Sequence, residues 1–135
     1  MAGVLAVAGI ASSTAGAKGR AQAASGKFTI VLSNNYMGNE WRPQMENVAK
    51  LIAGSSKYKS KVNLEIRNAQ LTPASQIQSL QSIIRQKPSA LMVDAASPTA
   101  LNPTIQQACS AGILVFTFDQ VVTAPCAYKL PENYR

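Results

Sequence analysis

The chain has 135 residues, of which 13 are Lys or Arg, 6 are Asp or Glu and none is His. That length accommodates one domain, and the absence of His excludes Ser-His-Asp and Cys-His catalytic systems together with His-ligated metal sites. The formal net charge of +7 comes from scattered cations, since only Lys57, Lys59 and Lys61 cluster, in a segment that predicts a surface loop. We therefore expect a binding module that carries no cofactor or metal, rather than an enzyme or a nucleic-acid-binding protein.

The first residues of the chain have the composition of an export leader. Residues 3–17 are apolar and small, too short and too rich in Gly and Ser to span a bilayer well, and 21–23 read Ala-Gln-Ala, a signal-peptide cleavage pattern. Cleavage after Ala23 predicts a periplasmic protein and removes Lys18 and Arg20, which lowers the net charge from +7 to +5. No basic residue precedes the apolar run, so we expect the natural start to lie upstream of Met1. The alternative is an Ala/Gly-rich leader without a targeting role.

From residue 28 onward, signals for strands and helices alternate. Apolar or alternating runs predict the strands, and Thr72-Pro73 and Asn102-Pro103 are typical of a cap followed by the first helical residue. Pro88 and Gly112 are typical of helix ends. The predicted strands lie at 28–33, 62–67, 90–93 and 113–118, and the helices at about 42–53, at 73–86 and from 102 to about 111.

This order, βαβαβαβ with short connections, predicts an α/β three-layer sandwich with a parallel sheet and helices on both faces. The strand at 62–67 alternates between apolar and polar residues, which is typical of a sheet edge. In such sheets ligands bind beyond the carboxyl ends of the strands. The candidate site therefore lies in the loops that follow the four strands.

The loop after the first strand, 33–42, holds Asn39, Trp41 and Arg42. Asn amides both donate and accept hydrogen bonds, as a hydroxyl requires, and a flat indole matches the C–H face of a sugar ring. The set predicts a polyol site, and no Gly-rich phosphate loop is present. The alternative for Trp41 is a core position at the start of a helix.

The later loops offer amides and carboxylates. Asn68 and Gln70 follow the second strand and suit either ligand binding or an Asx turn. Asp94, after the third strand, either offers its carboxylate to the site or satisfies nearby backbone amides, and we favour the second interpretation. We interpret Asp119, after the fourth strand, as a bidentate acceptor for ligand hydroxyls. A hydrolase with Asp94 and Asp119 as paired carboxylates is not favoured, because no third catalytic group is visible.

Cys109 and Cys126 are an even pair in a chain that carries export signals. We predict that they form a disulfide, which at a separation of 17 positions would contribute roughly 3 kcal/mol to stability. The alternative is two unrelated buried thiols.

Over residues 28–119 the sequence resembles the amino-terminal lobe of type I periplasmic sugar-binding proteins, the ribose-binding-like substrate-binding components of ABC transporters. The residues that carry the resemblance are Ser33-Asn34-Asn35, Asn39-x-Trp41, Asn68-Ala69-Gln70, Ala74-Ser75-Gln76-Ile77, Ser97-Pro98-Thr99-Ala100-Leu101, Ala111-Gly112-Ile113 and Phe118-Asp119. The resemblance implies the type I periplasmic-binding fold and the binding of a monosaccharide or polyol without chemistry.

The resemblance also implies roles by position. Asn39 matches the family's ligand-binding Asn, Trp41 its stacking aromatic and Asp119 its hydroxyl-binding Asp. Gln120 stands where many sugar binders have Arg, and Arg42 stands where a second aromatic is common, which makes Arg42 a candidate donor to the ligand. Two further ligand-binding candidates follow the second strand, Asn68 and Gln70.

Members of this class close two lobes around the ligand, and this chain matches one of them. We expect residues 24–130 to form a truncated amino-terminal lobe and 131–135 to be an irregular tail unlike the family's continuation. The full-length form is expected to be a monomer that serves an ABC permease. The alternative is the effector-sensing lobe of a transcription regulator with the same fold.

Overall fold

A computed structural model describes residues 26–130 of the chain. The predicted leader (1–23) and tail (131–135) lie outside the described residues. The elements in chain order are β1 (Phe28–Asn34), α1 (Trp41–Gly54), β2 (Val62–Asn68), α2 (Pro73–Gln86), β3 (Ala90–Val93), α3 (Asn102–Ser110), β4 (Leu114–Thr117) and β5 (Tyr128–Lys129). The predicted alternation of strands and helices is confirmed, and β5 is an addition that the sequence did not predict.

The five strands form one sheet in the order β2-β1-β3-β4-β5, and every neighbouring pair is parallel. The predicted edge position of β2 is confirmed. At the opposite edge, β5 pairs with only Phe116 and Thr117 of β4. Because all strands run in the same direction, their carboxyl ends meet at one edge of the sheet, where ligands of such folds bind.

Helices α2 and α3 pack together on one face of the sheet. The core beneath them contains Val31, Leu91 and Val115 from neighbouring strands, with Leu80 of α2 and Ile105 of α3, and none of these side chains is more than 1% exposed. Full burial of such a side chain contributes about 1.5–3 kcal/mol. This core fixes the positions of the loops that follow β1, β3 and β4.

Helix α1 lies on the other face, since side chains alternate along β1 and Asn34, which contacts α1 through Glu46, points away from the core that contains Val31. The helix is one residue longer at each end than predicted. Its buried residues are Arg42 and Glu46, whereas the apolar residue Leu51 is 74% exposed. Polar side chains therefore anchor this helix to the sheet.

Helix α2 begins and ends as its sequence predicts. The Thr72 side chain accepts a hydrogen bond of 3.1 Å from the backbone N–H of Ser75, and Pro73 is the first helical residue. The helix stops at Lys87, which adopts a left-handed conformation with φ +52° just before Pro88. Local sequence signals therefore determine both ends of this element.

Helix α3 corrects one prediction, because Asn102 is not its cap. Leu101 occupies the cap position, and no side chain caps the helix. The Asn102 amide instead donates to Thr123 Oγ1 (2.6 Å) and accepts from the backbone N–H of Ala124 (3.0 Å). A hydrogen bond between residues 21 positions apart thus forms in place of the predicted local cap. This bond attaches α3 to the segment after β4. Gly112 follows the helix with φ +81°, as predicted for a terminator.

A disulfide joins Cys109 of α3 to Cys126, with their Cα atoms 6.3 Å apart. The segment between β4 and β5 is thus attached to α3 both covalently and through Asn102. Its Val122 and Ala124 side chains enter the core. This segment contains Asp119, so the same attachments hold a candidate site residue in place.

Candidate functional site

The candidate site lies at the carboxyl edge of the sheet, in the loops after β1, β3 and β4. Asn39, in the first of these loops, accepts the backbone N–H of Arg42 through Oδ1 at 3.1 Å. This bond satisfies one of the free N–H groups in the first turn of α1. The turn places Trp41 and Arg42 side by side at the edge of the sheet.

Trp41 is the first residue of α1 and is 45% exposed. The alternative interpretation of this residue as part of the core is therefore wrong. It is also the only Trp of the chain. Much of its apolar surface faces solvent beside the polar groups of the site, an arrangement that suits stacking on a ligand.

Arg42 occupies the centre of the site and is almost fully buried. Its Nη1 donates to Oδ2 of Asp94, and its Nη2 lies 3.8 Å from Oδ2 of Asp119. The guanidinium carbon is 4.5 Å from the ring centroid of Tyr36 and 5.7 Å from that of Trp41. One cation is thus hydrogen-bonded to the residue after β3, and lies close to the ring of Tyr36 after β1 and to the carboxylate of Asp119 after β4.

This arrangement corrects the interpretation of Asp94. Its side chain is fully buried and does not bind nearby backbone amides; it accepts hydrogen bonds from Arg42 and from Nδ2 of Asn35 (3.4 Å). An ion pair with Arg42 compensates for the burial of the carboxylate. Asp119 differs, because its side chain is half exposed and its backbone has a φ of +55°.

Tyr36 is a component of the site that the sequence analysis did not single out. Its ring lies over the Arg42 guanidinium, and its hydroxyl is 3.5 Å from Nδ2 of Asn39. The ring also fills the space beside Gly38, where a Cβ atom would overlap it. Gly38 is therefore required for Tyr36 to take this position.

The remaining predicted residues lie farther from this centre. Oδ1 of Asn68 accepts a hydrogen bond of 3.0 Å from Nδ2 of Asn34, so this amide supports the loop after β1. Gln70 and Gln120 are exposed; the Gln70 backbone N–H donates to Ser75 Oγ, and the Gln120 carbonyl accepts from Ala95. The structure brings Asn39, Trp41, Arg42 and Asp119 together, and it joins neither glutamine side chain to them.

Two buried polar groups support the site from the helices. Glu46 of α1 accepts a hydrogen bond of 3.0 Å from Asn34. Gln76 of α2 donates to the Asp94 carbonyl (2.9 Å) and accepts from the Ala96 N–H (2.7 Å). A sequence signal was available for Glu46, which the sequence analysis missed, because it lies one turn after Arg42 on the same helix face.

Within residues 26–130 no group of three or more His, Cys, Asp and Glu side chains is arranged to hold a metal ion. In the same range, no helix has the length and apolar character needed to cross a membrane. The chemistry on offer at the site is therefore one Arg, two carboxylates, amides and two aromatic rings.

Comparison with known proteins identifies the family. The sequence model of a periplasmic binding protein domain matches residues 30–131. The chain belongs to this family. It is also similar to the crystal structure of an ABC transporter solute binding protein from Thermobispora bispora, with 40% sequence identity and a TM-score of 0.66 over 79% of this chain and 34% of that chain. The predicted type I periplasmic-binding fold is confirmed.

Two further solved structures share this periplasmic-binding fold. A galactofuranose binding protein is 26% identical with a TM-score of 0.64, covering 73% of this chain and 32% of that one. An ABC transporter periplasmic solute binding protein from Actinobacillus succinogenes, with bound D-allose, is 21% identical with a TM-score of 0.62, covering 74% and 34%. The chain therefore spans about a third of the length of these solved structures. Among curated protein sequences no match was found.

Proposed function

We propose that this chain forms one lobe of the substrate-binding component of an ABC transporter, which binds a simple sugar or polyol and performs no chemistry on it. The observation that carries the proposal is the placement of the exposed Trp41 indole beside Arg42 and Asp119 at the carboxyl edge of the sheet. Family membership and the likeness to the Thermobispora bispora solute binding protein support it.

The chemistry of these groups suits a polyhydroxy ligand. An indole face packs against the C–H groups of a sugar ring, and the Asp119 carboxylate accepts strong hydrogen bonds from hydroxyl groups. Arg42 and Asn39 supply donors that a hydroxyl oxygen accepts. Galactofuranose and D-allose, named for two of the similar structures, belong to this ligand class.

The chain supplies only part of a binding site under this proposal. It matches about a third of each similar structure, and in two-lobed binding proteins the ligand is enclosed by both lobes. We therefore expect one lobe alone to bind a monosaccharide weakly, with a Kd of about 1 mM or more, which corresponds to about −4 kcal/mol.

Several finer points belong to the same proposal. The protein is exported to the periplasm with cleavage after Ala23, and its full-length form is a monomer that delivers ligand to an ABC permease. Family membership supports an exported protein, and the small, apolar composition of residues 3–17 supports a leader. A role as the effector-sensing lobe of a transcription regulator is the alternative, and the similar structures at 26% identity or more favour solute binding instead.

The fluorescence of Trp41 tests the proposal, because this indole is the only one in the chain and lies in the candidate site. We would titrate the 135-residue chain with D-allose, D-galactose, D-ribose and ribitol, and follow backbone amide NMR signals in parallel. The expected result is a saturable millimolar response confined to Asn39, Trp41, Arg42 and Asp119. Responses elsewhere, or none with any of the four compounds, would contradict it.

A two-lobed chimera separates weak binding from no binding. Residues 26–130 would replace the matching part of the Thermobispora bispora protein, whose own remaining two-thirds supplies the second lobe. We expect the chimera to bind one of the same four compounds at least a hundredfold more tightly than the isolated chain. Micromolar binding by the 135-residue chain itself would show that the site is complete within one lobe.

A further inference from the structure

We infer that Asp94 is a positioning residue: it holds the guanidinium of Arg42 near Asp119, so that Nη2 donates to, and the Asp119 carboxylate accepts from, one hydroxyl of the ligand. Asp94 itself does not contact the ligand. This inference rests on the proposed function for the ligand, but the fixing of Arg42 by Asp94 can be measured without any ligand.

Asp94 is held rigidly at the end of β3. Its backbone N–H donates to the Ser33 carbonyl (3.0 Å), and its carbonyl accepts from Nε2 of Gln76 (2.9 Å). Its carboxylate accepts from Asn35, which also donates to the Ala95 carbonyl (3.2 Å). With no exposed surface, backbone bonds to β1 and α2, and a side-chain bond from Asn35, Asp94 is a fixed point against which a second group can be oriented.

Arg42 is oriented against that point. Its side chain is 5% exposed and donates to Asp94 through Nη1, while the rings of Tyr36 and Trp41 lie within 6 Å of the guanidinium carbon. Without Asp94, the buried cation would lack its closest counter-charge, at a cost of several kcal/mol. The hydrogen bond at Nη1 and the two neighbouring rings together restrict the positions that Nη2 of the planar guanidinium can take.

Asp119 is the second carboxylate near the guanidinium, and it is not hydrogen-bonded to Arg42. Its Oδ2 is 3.8 Å from Nη2, beyond the limit of about 3.2 Å for such a hydrogen bond, and half of its side chain faces solvent. A ligand oxygen about 2.8 Å from both Nη2 and Oδ2 would bridge these two atoms from one side of the line that joins them. The two aspartates therefore have different roles: Asp94 is the permanent partner of Arg42, and Asp119 is available to the ligand.

The chemistry between Nη2 and Asp119 selects a hydroxyl. Such an oxygen must accept from Arg42 and donate to the Asp119 carboxylate, and a hydroxyl group does both. A carboxylate oxygen accepts from Arg42 but has no proton for Asp119, and the two negative charges repel each other. The pair should therefore prefer a polyol to the corresponding sugar acid.

The 135-residue chain labelled with ¹⁵N-arginine tests the positioning role directly. We would record the Nε–H signal of Arg42 in the wild type, in Asp94→Asn and in Asp119→Asn. The expected result is that D94N broadens or moves this signal, whereas D119N leaves it close to its wild-type position. In the two-lobed chimera, binding of D-allose should weaken at least tenfold in both variants, and D119N should also reduce the ratio of the affinities for ribitol and ribonate.

Two further variants separate positioning from a purely structural ion pair. In Arg42→Met, adding D94N should cause no further loss of D-allose binding, because Asp94 acts only through Arg42. If D94N weakened binding in Arg42→Met as much as it does in the wild type, the inference would be overturned. Asp94→Glu keeps the charge, so the Arg42 signal in this variant should lie closer to its wild-type position than it does in D94N. This variant replaces D94N in the experiment if D94N fails to fold. An unchanged Arg42 signal in folded D94N would overturn the inference even if sugars bind. An Asp94-dependent signal in a chain that binds no sugar would support the positioning role and overturn the proposed function.

Discussion

Nδ2 of Asn34, at the end of β1, donates a hydrogen bond of 3.0 Å to Oε1 of Glu46, a buried carboxylate one turn into α1. The bond docks α1 on the sheet in the place where apolar side chains usually do so. Because the same helix begins with Trp41 and Arg42, the docking bond also determines where these two side chains lie.

Replacing Glu46 with Ala should lower the free energy of unfolding by about 1–3 kcal/mol, because one Asn34 N–H would remain buried without an acceptor. Glu46→Gln retains an oxygen that accepts the hydrogen bond, so its free energy of unfolding should fall by less than that of Glu46→Ala. Glu40→Ala is the matched control, since Glu40 is exposed just before α1 and should change stability by no more than about 0.5 kcal/mol. Urea unfolding measures all three, and equal stabilities for E46A and E40A would contradict the docking role.

Replacing Gly38 with Ala should displace the Tyr36 ring from Arg42, because the new Cβ atom occupies the space that the ring fills. NOE contacts between the Tyr36 ring and the Arg42 side chain should disappear, and binding of D-allose should weaken. Gly54→Ala is the control, since no atom lies within 4 Å of a Cβ at that position. If G38A retained the Tyr36–Arg42 contacts, the close approach of the ring would not depend on this glycine.

Removing the disulfide with a Cys109→Ala and Cys126→Ala double variant should lower the free energy of unfolding by roughly 3 kcal/mol, as expected for a closed loop of this length. Hydrogen exchange should accelerate first in residues 119–127, the segment that the bond attaches to α3. Wild-type protein in reductant is the control and should behave like the double variant. Slow exchange of this segment without the bond would mean that Asn102 and the buried side chains suffice to hold it.

In the two-lobed chimera, Trp41→Ala and Asp119→Ala should each weaken monosaccharide binding at least tenfold, or about 1.4 kcal/mol. The first removes the stacking surface and the second removes the exposed carboxylate. Lys59→Ala, in the loop between α1 and β2, is the control and should leave the affinity unchanged. Calorimetry measures the affinity of each of the three variants. If Trp41→Ala and Asp119→Ala both bound with wild-type affinity, these residues would not form the ligand site.

Sequence periodicity predicted the four main strands and the three helices, because each of these elements is made of contiguous residues. The alternation of strands and helices then predicted a parallel sheet. Periodicity missed β5, which is two residues long and too short to show a period. The sequence also predicted that Asn102 caps α3, whereas its side chain forms hydrogen bonds with Thr123 and Ala124. Pairings over long separations compete with local ones, and the sequence pattern does not record which of them prevails.

The candidate site shows the same division. Asn39, Trp41, Arg42 and Asp119 were predicted because they follow strands and carry suitable chemistry. The contact between Arg42 and Asp94 spans 52 positions and joins a helix to a strand end, so no spacing rule reveals it. Tyr36 was missed because only the fold of its loop brings the ring over Arg42.

The ion pair between Arg42 and Asp94 also constrains how this lobe can change its ligand over evolutionary time. Replacing Arg42 alone with an aromatic residue leaves the buried Asp94 carboxylate without a counter-charge, and replacing Asp94 alone leaves the buried Arg42 cation without one. Each single change would lower the free energy of unfolding by about 3–5 kcal/mol. Each of these costs is a large fraction of the free energy of unfolding of a small domain, which is about 5–15 kcal/mol. The two positions should therefore co-vary among descendants of this chain, so that a new specificity arises through paired substitutions in two loops rather than through a single step.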